Sequence, residues 1–145
     1  MNKILDNELL INESTIVNTN EYLSNTKIIC LYFSASYCPP CVKFTPILAN
    51  VYNELKKLNK DIEIIFISSD KTIESFTRYF NYMPWISIPY QKRNIKSRLC
   101  TIFDVQTIPH LVILNNNGDV IDNNARFFIQ NNKNNLENII NTLNL

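Results

Sequence analysis

The sequence predicts an α/β domain built on a mixed sheet, and three observations carry that prediction. Two apolar runs, at 27–33 (KIICLYF) and 61–67 (DIEIIFI), read as strands buried on both faces, because neither alternates with polar residues. Between them Phe44, Ile47, Leu48, Val51, Tyr52 and Leu55 recur at three- and four-residue spacing, the mark of an amphipathic helix. Strand, helix and strand in that order imply a right-handed parallel crossover. Finally, Leu111 to Leu114, the turn residues Asn117-Gly118, and Val120-Ile121 form a hairpin signal that adds an antiparallel half.

Taken along the chain, residues 1–24 read as an N-terminal extension, with Leu9-Leu10-Ile11 as a short edge strand and Tyr22-Leu23 as a turn or helix beneath it. The first core strand covers 27–35. It runs into the turn Cys38-Pro39-Pro40-Cys41 and a helix to about Leu58, which Pro46 should kink by removing a backbone donor and crowding the preceding turn. After the strand at 61–67, Ile73, Phe76 and Phe80 mark a short helix ending before Met83-Pro84. Residues 85–90, interrupted by Pro89, read as an irregular loop or short edge segment. Ile95, Leu99, Ile102 and Phe103 give another helix, and Leu136, Ile139, Ile140 and Leu143 a closing one. Neither a linker nor an internal repeat interrupts the chain, so one domain is expected over 1–145.

At 145 residues and 46% hydrophobic, the chain can bury one real core. Its formal charge of +1 makes no electrostatic case for nucleic acid. Four cysteines are too few for a disulfide scaffold. The opening residues carry acids and amides where a signal peptide needs an apolar run, and no stretch approaches a transmembrane length. No membrane association and a reducing, cytoplasmic setting are therefore expected, where a CxxC is more often catalytic or metal-binding than structural. The single glycine, Gly118, rules out a glycine-rich phosphate loop. Asparagine is the commonest residue, and its excess falls in connections such as 115–117 and 131–135.

Chemistry enters with Cys38 and Cys41. They sit where a buried strand turns into a helix, so the helix dipole favours a thiolate at Cys38, the first of the pair. Pro39 and Pro40 are tolerated in a first turn but offer no N–H, leaving the Cys41 amide as the nearest donor to the Cys38 sulfur in the manner of an N-cap. Cys41, one turn deeper, should stay protonated. In the resulting division of labour, Cys38 attacks a substrate disulfide and Cys41 resolves the mixed disulfide. The competing structural reading is half of a zinc site, whose further ligands would come from Cys30, Cys100 and His110. Ile108-Pro109 precedes a strand, and proline there cannot donate to a ladder. Cys30 and Cys100 lie in apolar patterns and read as core cysteines.

The residues YFSASYCPPC at 32–41, then Phe44-Thr45-Pro46, Met83-Pro84-Trp85 and Ile108-Pro109, together resemble the thioredoxin superfamily, and within it the tryparedoxin and nucleoredoxin branch. The likeness covers the chain from about Lys27 to Phe128. It implies a thioredoxin fold, with a central mixed sheet flanked by helices, in which Cys38 is the nucleophile and Cys41 the resolving thiol. It further implies a cis Pro109 facing the dithiol, an Ile108 backbone that pairs with an extended substrate, and Tyr37, Pro39, Pro40, Trp85 and Arg126 bordering the substrate groove. Tyr37 replaces the usual tryptophan. Tyr32 stands where thioredoxins proper carry a buried aspartate, as it does in tryparedoxins. His110 replaces a threonine and is expected near the site. Ser69 and Lys71 stand where tryparedoxins carry a tryptophan and an acid that favour a polyamine-bearing thiol.

The expected function is thiol–disulfide oxidoreduction on protein disulfides, such as those of a peroxidase, by a monomer whose one redox group is the Cys38–Cys41 pair, with no metal and no other cofactor. Glutathione or a thioredoxin-type protein is the expected reductant. An isomerase or oxidase, a redox-sensitive binding module of nucleoredoxin type, and a zinc-bound structural domain stand as the alternatives.

Overall fold

The computed structural model describes residues 1–145, the side chain of Asn2 excepted. The chain runs α1 (Asn2–Leu5), β1 (Glu8–Asn12), β2 (Thr15–Asn18), α2 (Thr19–Leu23), β3 (Ile28–Ser34), α3 (Pro39–Lys57) and β4 (Ile62–Ser68). It continues through α4 (Ile73–Phe80), β5 (Ile86–Ser87), α5 (Arg93–Ile102), β6 (His110–Asn115), β7 (Val120–Asp122), α6 (Arg126–Asn131) and α7 (Leu136–Leu143). Among the described residues one seven-stranded sheet forms in the order β2-β1-β5-β4-β3-β6-β7. β3 lies parallel to β4 and antiparallel to β6, so the crossover and the hairpin both form as their patterns predict.

Helices cover both faces of the central strands. Cys30, Tyr32, Ile64 and Phe66 pack under α3, α4, α6 and α7, while Ile29, Leu31, Phe33, Ile65 and Ile67 pack under α1, α2 and α5. Every residue of β3 and β4 is buried, which is why their sequences do not alternate. α3 passes through Pro46 as one helix and ends in a left-handed Asn59 (φ 56°). Asn59 donates to the Lys56 carbonyl and Lys60 to the Leu55 carbonyl, the Schellman pattern usually completed by glycine. Asp6, Asp104 and Asn144 are also left-handed, with φ between 51° and 70°. Two asparagines and two aspartates thus do backbone work that this glycine-poor chain does not give to glycine.

Several elements depart from expectation. Leu9 to Ile11 belong to β1, which is not at the edge: β2 pairs with it through a tight antiparallel turn and takes the edge position. Ile16 and Val17 supply that strand, but their polar neighbours hide it in the sequence. The segment at 85–90 places β5 inside the sheet, between β1 and β4. α6 has no forecast; it begins directly after Ala125, whose N–H donates to the Leu111 carbonyl at 2.7 Å. Among the described residues no helix is long and apolar enough to cross a membrane.

Candidate functional site

Cys38 ends the loop after β3 and occupies the N-cap of α3, with Pro39 and Pro40 as exposed first-turn residues. Its carbonyl accepts from the Val42 N–H at 3.0 Å, while its side chain makes no capping bond, so the expected contact with the Cys41 amide does not form. The sulfur turns instead toward the cis-proline loop, where the Cys38 thiol donates to the Ile108 carbonyl at 3.7 Å. The Ile108–Pro109 bond is cis, as the resemblance implies. Cys38 is half-buried and Cys41 is fully buried, and both are free thiols. Burial, reinforced by its contact with the Cys38 thiol, pushes the Cys41 thiol up to about 11; the Ser34 hydroxyl and the Ala35 backbone pull it the other way.

Beneath Cys41 lies a chain of four hydroxyls drawn from β3, α3 and α4. Ser34 Oγ is 3.0 Å from Tyr79 Oη, Tyr79 Oη is 2.6 Å from Thr45 Oγ1, and Thr45 Oγ1 is 2.7 Å from Tyr32 Oη. Thr45 Oγ1 also donates to the Cys41 carbonyl at 2.9 Å. A second device holds the loop that carries Cys38. The buried Asp70 accepts from the Ser36 N–H at 2.8 Å, from Ser36 Oγ at 2.6 Å and from Ser68 Oγ at 2.8 Å. The Asp70 carbonyl in turn accepts from Tyr90 Oη at 2.8 Å. Sequence reasoning passed over Tyr79 and Asp70, and nothing in the local pattern around either residue points to the dithiol.

Beside Cys38 is a cleft of about 230 Å³ whose walls include Tyr37, Ser69, Lys96, Cys100 and Ile108. Tyr37 is exposed, and the Lys71 ammonium sits 5.1 Å from its ring centroid. Cys100, expected in the core, is therefore half-buried on a cleft wall; burial is the first cause that raises its thiol. Trp85 requires correction. It is 2% exposed and packs edge-on against Tyr32 and Tyr52, so it is a core residue and not a wall of the cleft beside Cys38. Its apolar neighbours and the short β5 pull it under α3. Arg126 opens α6 with its guanidinium 5.2 Å from the Phe127 ring, and no contact with the dithiol is among its described interactions. His110 lies beside Pro109 but is buried, bonded to the Asn123 carbonyl and set edge-on to Phe33. Among the described residues no group of three His, Cys, Asp or Glu side chains is placed to hold a metal ion.

The arrangement resembles known proteins over most of its length. A thioredoxin-like family model matches residues 25–120. Mouse nucleoredoxin (Mus musculus) is 41% identical over 101 residues, covering 70% of this chain and 23% of its own length. Probable nucleoredoxin 1 of Arabidopsis thaliana is 43% identical over 99 residues, covering 68% of this chain and 17% of its own. The chain thus spans under a quarter of the length of these curated relatives. Among solved structures, native tryparedoxin I from Crithidia fasciculata superposes with a TM-score of 0.84 at 31% identity, covering 92% of each chain. A tryparedoxin II complexed with glutathionylspermidine superposes with a TM-score of 0.80 at 32% identity, covering 88% of each.

Proposed function

The chain belongs to the thioredoxin-like oxidoreductase family, in its tryparedoxin and nucleoredoxin branch, and from that premise we propose that it reduces protein disulfides through Cys38 and Cys41. One observation carries the reading: a reachable thiol and a fully buried one share the first turn of a helix, opposite a carbonyl of a cis-proline loop. A substrate disulfide approaches along 108–109, and Cys38 attacks one of its sulfurs. A mixed disulfide forms and the first substrate thiolate leaves. Cys41 then attacks Cys38, closing the internal disulfide and releasing the second thiolate. No group beyond the dithiol enters this cycle. A reducing cytoplasm suits it, since the disulfide must be opened again by another thiol, and a monomer suffices because one chain supplies both sulfurs.

The reductant is a small anionic thiol such as glutathione, or a thioredoxin-type protein, in preference to a polyamine-bearing thiol. Lys71 covers the Tyr37 ring and Lys96 lines the adjacent cleft, so a polycation meets like charges there. Asp70, the acid next to Lys71, is buried and held by Ser36 and Ser68, so it presents no open carboxylate to a polyamine. Between exposed groups the discrimination is about 1 kcal/mol or less.

The test is insulin disulfide reduction driven by dithiothreitol. Cys38→Ser should abolish it, and Cys41→Ser should lose turnover yet trap substrate as a mixed disulfide. Turnover surviving in Cys38→Ser would defeat the reading. Reduction kinetics of the oxidised protein with glutathione and glutathionylspermidine at equal thiol concentration test the reductant; a preference for the polyamine conjugate that salt abolishes would reverse that assignment.

A further inference from the structure

Hydrogen-bond accounting fixes the resting direction of the hydroxyl chain below Cys41. Thr45 has one proton and donates it to the Cys41 carbonyl, so both tyrosines that touch Thr45 must donate to it. Tyr79 has then spent its proton and can only accept from Ser34. Ser34 has likewise spent its own proton on Tyr79, and its hydroxyl is a neighbour of the Cys41 thiol toward which only lone pairs remain free. The result is a head-to-tail chain, Cys41 to Ser34 to Tyr79 to Thr45, in which every member except the sulfur already donates onward.

We propose that this chain is the proton exit of the resolving thiol, with Ser34 and Tyr79 as its positioning residues. The inference rests on the dithiol reading above and adds how Cys41 becomes a nucleophile. Cys41 has no exposed surface, and a bound substrate covers Cys38, so the proton cannot leave by the substrate face. Tyr79 and Thr45, however, line an open groove of about 590 Å³ along α3, which also includes Val42, Pro46 and Tyr82. None of the residues lining that groove lines the cleft beside Cys38.

The step balances as follows. Cys41 gives its proton to Ser34 Oγ, Ser34 passes its own to Tyr79, and Tyr79 releases its own to water in the groove. Each hydroxyl now points back toward Cys41, so Ser34 donates to the thiolate it has created; this is the sense in which Ser34 favours the ionised form. The thiolate attacks Cys38 of the mixed disulfide. The Cys38–Cys41 bond forms, the bond to the substrate sulfur breaks, and the departing thiolate takes a proton from solvent. Two electrons have moved from the dithiol to the substrate disulfide.

Stopped-flow reaction of the reduced protein with a substoichiometric symmetric nitrobenzoate disulfide separates the two steps, since each releases one coloured thiolate. The first phase reports attack by Cys38 and the second resolution by Cys41. Tyr79→Phe keeps the ring and removes the hydroxyl. It should slow the second phase by about 10-fold or more, shift its pH profile upward, and leave the first phase unchanged. Ser34→Ala should do the same from the other end of the route. Tyr52→Phe, an equal deletion of a phenol away from this chain, on α3, should change neither phase. Second phases in Tyr79→Phe and Ser34→Ala that match the native protein at every pH would overturn the proposal. So would an equal slowing in Tyr52→Phe, which would reduce the effect to general loosening. A native protein with no first phase would overturn the dithiol reading itself.

Discussion

Cys41 and Cys30 are both buried against the layer between the sheet and α3, yet their surroundings differ in kind. Cys41 looks onto neutral hydroxyls that can turn toward it. Cys30 looks toward Glu63, a buried carboxyl that accepts from Tyr52 Oη at 2.9 Å, from the Ile64 N–H at 2.9 Å and from Tyr22 Oη at 3.4 Å. Both thiols are raised, with burial as the first cause, but the second contributor at Cys30 is Glu63 itself. The phenols there are committed to the carboxylate and cannot serve the sulfur. Burial beside a carboxylate therefore silences a thiol, whereas neutral hydroxyls whose hydrogen bonds can reverse leave one able to ionise.

The comparison is broken most visibly by alkylation. Cys30 should react with iodoacetamide at least about 1,000-fold more slowly in the native protein than in urea, since only unfolding exposes it. Peptide mapping of labelled protein checks this, and rapid native labelling of Cys30 would remove the distinction. A smaller effect is expected from Tyr52→Phe, which deletes the principal phenol donor to Glu63. It should cost about 2 kcal/mol in urea unfolding while insulin reduction stays at the native rate. The smallest effect concerns Glu63→Gln. Burial is the first cause that raises the Glu63 carboxyl, so the unfolded chain loses this proton at lower pH than the folded one. The native protein therefore loses stability as pH rises from the ordinary carboxylate range through the raised folded value. Glu63→Gln should flatten that slope and lie within about 1 kcal/mol of native stability at neutral pH. Parallel urea midpoints for native and variant would contradict the assignment.

What the sequence made legible was local. Cys38 and Cys41 between a buried strand and an amphipathic helix, the Asn117-Gly118 turn, and the apolar strands at the centre of the sheet each declare themselves within a short window. The interior of the site was not legible, because its parts meet only after folding. Ser34 and Tyr79 are 45 positions apart, and Ser36 and Asp70 are 34 apart. Each is an unremarkable polar residue where it stands in the chain. Trp85 misled because its neighbourhood is punctuated by Pro84 and Pro89, which reads as loop, whereas the two residues of β5 suffice to fasten it inside the sheet. Ile16 and Val17 were missed for the converse reason: a strand with one apolar pair and polar flanks resembles a loop until its partner β1 is known.

The left-handed Asn59 and Asn144, with Asp6 and Asp104, have a consequence outside the native structure. A glycine at each position would hold the same turn with less local strain, but would let the denatured chain wander over far more conformations. An asparagine or aspartate reverses that balance, placing a modest cost in the folded turn and removing freedom from the competing ensemble. With a single glycine in 145 residues, this protein draws part of its stability from the poverty of its unfolded state.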